Sequence, residues 1–462
     1  MNVLLSLLQK STDYNQLLKA VEAKQAVAVS GLSQAPRSHV LAAAHEQSGR
    51  PLIAVCQDDM AAKRLASELG AFLGEEPPVL PSRELTLAGA IGVSRQWEQQ
   101  RLRLLYALAQ GRVPVLVASL DALLLRTLPR QTLFSASVTL RVGAEYSMPE
   151  LIERLTRAGY SRASLVEGVG QFALRGGILD VYSPAQEKPL RAEFFGDELD
   201  TMGYFDPITQ RRTENVDEAV LLPVAETEPH LHPQGISGLC EDLRAIIARQ
   251  QRRKTPNQAL IETLQKDCEA LENETLFASA DRYMALIYPE FTTAASYLPQ
   301  EAIVAFCDHG NLQRGEKDRA EEFGLLLDSF LTSGTLFGEL CDYYATMDDL
   351  AASLRGRAVI YCDSFLAARY PESLPPKQLL SFTARQLPGY GGSLETAAAD
   401  LKNYASNQYG SIVLCGGQRR GEILKELLAK SGLNALLSFP LTKLPQPGQI
   451  LIAGGSLPAG LE

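Results

Sequence analysis

Short apolar runs alternate with helical segments over the first 120 or so residues, and this alternation restricts the fold more than any other feature. Ala26–Val29 and Leu52–Val55 read as strands, with helices over His39–Gln47 and Met60–Leu69. A further helix, RQWEQQRLRLLYALAQ at 95–110, precedes a strand at Val113–Ala118. Strands that take turns with helices specify a parallel sheet covered by helices, so the fold class is α/β. The core they outline is an incomplete version of a nucleotide-binding sheet, of the RecA or P-loop kind.

The same grammar returns later. EAIVAFC at 301–307 reads as a buried strand, followed by a helix over 316–330. A long helical segment spans about 235–272 and is expected to break at Thr255–Pro256, because proline has no N–H to give the helix. A separate α/β unit is expected from 345 to 462. Its strands are Ala358–Tyr361, Ser411–Cys415 and Gln449–Ile452, its helices lie near 394–406 and 421–431, and LPGYGGS (387–393) forms a loop. With 462 residues and ~150 per domain, several domains are expected. They are a first domain at 1–124 and 213–340, a small domain inserted at 125–212, and the unit at 345–462.

Composition excludes several functions. No apolar run approaches the ~18 residues of a membrane span. The amphipathic N-terminus lacks a basic leader and a cleavage site, so a cytoplasmic protein is expected. The seven cysteines contain no CxxC pair, which points away from zinc and from a disulfide framework, and no metal site is expected. A net charge of −10 is not the footprint of a strong DNA binder. Arg244, Arg249, Arg252, Arg253 and Lys254 form the one basic cluster, read as a solvated helix face.

Two segments carry chemistry. In the inserted region, GQFALRGGILDVYSPAQEKPLRAEFFGDELDTMGYFDPITQRR (170–212), strands at Gly177–Tyr182 and Leu190–Phe195 are separated by turn residues. Side chains alternate along a strand, so Arg191, Glu193 and Phe195 share one face, while Ala192 and Phe194 share the other. A cation beside an aromatic ring is a docking surface if that face is exposed. Phe195 in the core and Arg191 as a solvated edge charge is the alternative. The second segment is GLSQAPRS (Gly31–Ser38), between a strand and a helix. A phosphate loop needs Gly-x4-Gly-Lys-Ser/Thr there, for backbone donors, a cation and a magnesium-binding hydroxyl. Here Gly31 and Ser38 stand, but Pro36 and Arg37 replace the second glycine and the lysine.

The run FALRGGILDVYSPA, LRAEFFGDELD and FDPITQR closely resembles the small domain shared by UvrB and the transcription-repair coupling factor family. Weaker similarity extends over nearly the whole chain. The resemblance implies that Arg175, Arg191 and Phe195 contact UvrA, and that the module recruits UvrA in nucleotide excision repair. It also implies a vestigial nucleotide site at Gly31, Pro36, Arg37, Ser38, Asp308 and His309. In UvrB the acidic motif is Asp-Glu-x-His, whereas here Asp308 is followed by His309. No catalytic residue and no cofactor are therefore expected in these residues. UvrB also has an aromatic DNA-threading hairpin, and VLPSRELTLAGAIGVSR (79–95) is too short for it and has no Tyr or Phe. The family further implies that this is the N-terminal portion of a longer, monomeric protein. Its remaining domains would mask the UvrA surface, bind ATP and magnesium, translocate on DNA and displace RNA polymerase. An ATP-binding or DNA-binding excision-repair module is the competing reading.

Overall fold

The structure, a computed structural model, describes residues 3–88, 96–273, 277–367, 369–387, 393–457 and 459–462. The strands, in chain order, open with β1 (Ala26–Ser30), β2 (Leu52–Cys56), β3 (Val79–Leu80) and β4 (Val115–Ser119). Next come β5 (Val138–Arg141), β6 (Ser161–Arg162), β7 (Gln171–Arg175), β8 (Ile178–Val181), β9 (Leu190–Phe195), β10 (Glu198–Phe205), β11 (Arg212–Asn215) and β12 (Glu218–Leu221). The chain continues through β13 (Ile303–Cys307), β14 (Ala358–Cys362) and β15 (Gln378–Ser381), then β16 (Ser411–Cys415), β17 (Ala435–Ser438) and β18 (Ile450–Gly454).

A seven-stranded parallel sheet, ordered β15-β1-β14-β13-β2-β4-β3, forms the main body. Its central strands are buried at every position, which a parallel sheet needs because helices cover both faces. Alternation along β1 sends Val27 and Val29 to one core and Ala26 and Ala28 to the other. The first of these cores includes Val40 and Leu41 of the Gln34–Ser48 helix and Leu65 and Leu69 of the Asp59–Leu73 helix. On the opposite face lie Leu102 and Leu105 of the Gln96–Ala109 helix, with the helices Gly235–Gln251 and Gln258–Glu272. The break expected near Thr255–Pro256 falls between those last two helices.

Two expected boundaries are corrected. The strand at Ala358–Cys362 does not begin a new unit: it lies between β1 and β13 in the main sheet. An all-apolar run fits a central strand of either sheet equally well, so its sequence does not say which sheet it enters. β15, an edge strand absent from the sequence reading, then pairs with β1. The separate C-terminal unit is therefore smaller. It has the sheet β16-β18-β17 and the helices Leu394–Ser406 and Gln418–Lys430, around its own core. The loop expected at 387–393 falls largely outside the described residues. The inserted unit also starts later than 125. Leu125 and Arg126 bridge to Tyr344 and Thr293, and Leu128 joins the main core. The antiparallel ribbon β5–β12 instead encloses the insertion, and its Val138, Leu140, Ala219 and Leu221 share a core with Leu151, Leu179, Leu190 and Ala192.

A buried ion network anchors the base of the insertion to the main body. Arg101 Nε donates to both carboxylate oxygens of Glu226 at 3.1 and 3.0 Å, and neither side chain reaches solvent. Arg101 Nη1 donates to the carbonyls of Pro81 and Ala122. Arg83 donates to Asp281 at 2.7 Å, Thr227 at 3.1 Å and Glu98 at 3.2 Å. The segment 81–88 is thus held against the body by Arg83 and by Leu87, which packs with Leu336 and Tyr343. Residues 89–95, where the rest of the missing hairpin would sit, lie outside the described residues.

Candidate docking surface and phosphate-loop crevice

The insertion carries a six-stranded sheet, β11-β10-β9-β8-β7-β6. The hairpins β7–β8 and β9–β10 are antiparallel and turn at Gly176–Gly177 and Gly196–Asp197. Gly176 sits at φ +61°, which suits glycine in a tight two-residue turn. A side chain at Gly177 would come within 2.7 Å of the Phe194 carbonyl, so the two hairpins fit closely only with glycine there. Because β7 and β9 run the same way, both turns lie at one end of the sheet.

Asp180 organises the outer face. It is 1% exposed and stands opposite Arg191 in the β8–β9 register. Its carboxylate accepts Arg191 Nε at 2.7 Å and Nη2 at 2.9 Å, and also accepts Arg175 Nη2. This two-point pairing fixes the guanidinium plane of Arg191. Arg191 also donates to the Gln210 carbonyl and side chain, and its guanidinium lies 4.5 Å from the Phe205 ring centroid. Arg175 is more open, with 46% of its side chain exposed.

Phe195 is 84% exposed, so it does not lie in the core. Phe194 takes the opposite side and, half-buried against the small domain's core, meets Tyr146 edge-on at 6.2 Å. The alternation read from the sequence is what the structure shows: Leu190 and Ala192 are buried, and Arg191, Glu193 and Phe195 face out to increasing degrees. The structure thus brings Arg175 and Arg191 onto one carboxylate and leaves Phe195 projecting at the hairpin tip, with the part-exposed Ile178 opposite Arg175 on the other hairpin. Two participants were missed from sequence. Asp180 was legible as the acidic residue of ILDV, at the outward-facing position of its strand. Ile208, 89% exposed, sits on the turn whose Gln210 holds Arg191, and Asp206 shapes that turn by accepting the N–H groups of Ile208 and Thr209.

The phosphate-loop-like segment is closed by its neighbours. The helix begins at Gln34 rather than near His39, so only Gly31, Leu32 and Ser33 separate it from β1. The N–H groups of Gly31 and Leu32 donate to the carbonyls of Ser364 and Asp363 at 3.2 and 3.4 Å. Gly31 has φ +81°, and the carbonyl of Phe382 stands 2.0 Å from where a Cβ would be. The space in which a loop would cradle phosphate is thus taken by backbone. Pro36 lies in the helix's first turn and lacks a donor. Ser38 is fully buried and its hydroxyl donates to Glu68 at 2.7 Å.

Arg37 and Asp308 meet across the crevice. Arg37 Nη1 donates to Asp308 Oδ2 at 2.6 Å, with the Arg37 side chain 7% exposed. Asp308, in the left-handed region at φ +59°, precedes the His309–Thr332 helix. The cavity between them measures about 280 Å³, and its charged lining is Arg37 and Arg64 against Asp58, Glu68 and Asp308. An excess of carboxylates opposes a polyphosphate. His309 is buried, its ring stacked on Tyr370 at 5.2 Å, and its backbone N–H donates to Asp363 at 2.7 Å. The basic cluster seen in sequence is partly spent on acids, with Arg244 paired to Glu272 and Arg249 to Glu339.

His309 and Asp363 give a pH test. Burial lowers His309 to about 4, so it stays neutral in the fold, and stability rises as pH climbs from about 4 to 6.5. Burial raises Asp363 to about 6, so stability falls as pH climbs from about 4 to 6. The two oppose each other, each on the order of 3 kcal/mol. Asp363→Asn is expected to make urea stability rise more steeply than in the parent across pH 4–6.5, and His309→Gln to make it fall. Superimposable pH profiles for all three proteins would contradict this.

Residues 138–226 match the UvrB interaction domain family. Nearly the whole chain is similar to curated proteins named transcription-repair-coupling factor. The one from Staphylococcus aureus (strain USA300) is 26% identical over 99% of this chain and 39% of its own length. The one from Bacillus subtilis (strain 168) is 22% identical over 98% and 38%. The chain therefore spans well under half the length of these relatives.

Proposed function

This chain is a relative of the transcription-repair-coupling factors that carries a UvrB interaction domain, and from that premise we propose that it is a docking module that recruits UvrA. The observation that carries the proposal is Phe195, 84% exposed on the same face of β9 as Arg191, which one buried aspartate holds together with Arg175. Exposed aromatic and arginine side chains on a rigid sheet are the types that dominate binding energy, and the fold orders them before any partner arrives. In the same proposal the module acts in the cytoplasm, in transcription-coupled excision repair. ATP-dependent translocation on DNA, displacement of stalled RNA polymerase and masking of the UvrA surface belong to other parts of the parent protein. Among the described residues no helix is long and apolar enough to cross a membrane. The proposal is tested by pull-down of purified UvrA. The wild-type chain should retain UvrA, while Arg191→Ala and Arg175→Ala should retain much less. Equal retention by both variants would refute the assignment of this surface.

The proposal includes a vestigial nucleotide site, with neither binding nor turnover. Loop N–H groups bonded to carbonyls, a serine bonded to Glu68 and an arginine bonded to Asp308 support this reading. Phosphoryl transfer depends on positioned charges, and here those charges are committed to each other. Purified chain is expected to give no ATP turnover above a blank and no saturable heat with millimolar ATP and magnesium. Turnover on the order of 1 s⁻¹ that is lost in Ser38→Ala would contradict it.

A further inference from the structure

We propose that Cys240, Cys268 and Glu272 form a binding site for a soft divalent cation of the zinc class. The two cysteines are 28 residues apart, a spacing that says nothing in sequence, but the fold stacks their helices against each other. Cys268 and Glu272 are i and i+4 on the Gln258–Glu272 helix and so share a face. Cys240 faces them from the Gly235–Gln251 helix, and the two sulfurs and a Glu272 oxygen all lie within 4.8 Å of one another. Ligand atoms about 2.0–2.3 Å from a tetrahedral zinc stand roughly 3.5 Å apart, so small side-chain rotations close the set. Thiolate and carboxylate together suit zinc rather than magnesium or calcium, which prefer oxygen alone. Both sulfurs are buried, while Glu272 is 45% exposed, which gives an ion a way in and leaves room for water as fourth ligand.

Arg244, one turn beyond Cys240, holds the Glu272 carboxylate. It competes with the cation for that ligand. Both thiols must lose their protons to hold the ion, so binding should weaken as pH falls. A bound ion would clip together the two helices that cover one face of the main sheet.

The test uses the full chain, reduced and stripped of metal, titrated with Co²⁺ and then Zn²⁺. One equivalent of Co²⁺ should produce thiolate-to-cobalt charge-transfer absorption, and one equivalent of Zn²⁺ should abolish it. Cys240→Ser and Cys268→Ser should each remove the signal. Glu272→Gln should weaken binding at least tenfold, and Arg244→Ala should tighten it, an outcome that a purely structural role for these residues does not produce. Absence of the absorption in the parent chain overturns the proposal. So does its persistence in either serine variant, because other cysteines would then hold the ion. Should the serine variants fail to fold, Glu272→Gln decides, and unchanged affinity there overturns the site.

Discussion

Phe195→Ala should lose UvrA binding by about 30-fold or more, the equivalent of ~2 kcal/mol, while its melting temperature stays close to that of the parent. The ring is 84% exposed, so truncating it leaves no cavity and removes few internal contacts. Phe194→Ala is the natural companion. That ring is half-buried against the small domain's core and Tyr146, so its loss should lower the melting temperature. The pair separates two neighbouring phenylalanines by role. A Phe195→Ala variant that melts early, or one that still binds UvrA at parental affinity, would remove Phe195 from the interface.

The largest stability effect should come from Glu226→Ala. Its carboxylate accepts both bonds from Arg101 Nε and one from Thr127 Oγ1 at 2.5 Å, all without solvent contact. Removing it strands a buried guanidinium, and breaking a buried pair in this way costs about 3–5 kcal/mol. Denaturant unfolding should show that loss, with Glu226→Gln losing less because the amide can still accept a hydrogen bond from Arg101. A Glu226→Ala midpoint equal to the parent's would show that water reaches and solvates Arg101.

The parallel main sheet was legible because strand–helix alternation is a local signal. Ala26–Val29, Leu52–Val55 and EAIVAFC needed only their own sequence to be recognised. What local pattern cannot supply is partner choice. Ala358–Cys362 looks the same whether it starts a new sheet or enters an old one, and its place between β1 and β13 is set by packing across more than 300 residues of chain. At the docking surface, alternation correctly put Arg191 and Phe195 on one face, since a strand's period is local. The aspartate that binds both arginines was not singled out, because its importance lies in register with a neighbouring strand. In the crevice, the substitutions Pro36 and Arg37 were visible. The closure of Gly31 by Phe382 was not, because that carbonyl belongs to the residue directly after an unrecognised edge strand.

Hydrogen exchange on the full chain with and without UvrA tests the central claim most directly. The expected result is slowed exchange confined to the two hairpin ends, around 174–179 and 191–199, and to the 206–210 turn, with none of it in Phe195→Ala. Protection that instead falls on the 309–332 helix or the C-terminal unit, or protection that survives Phe195→Ala unchanged, would contradict the account.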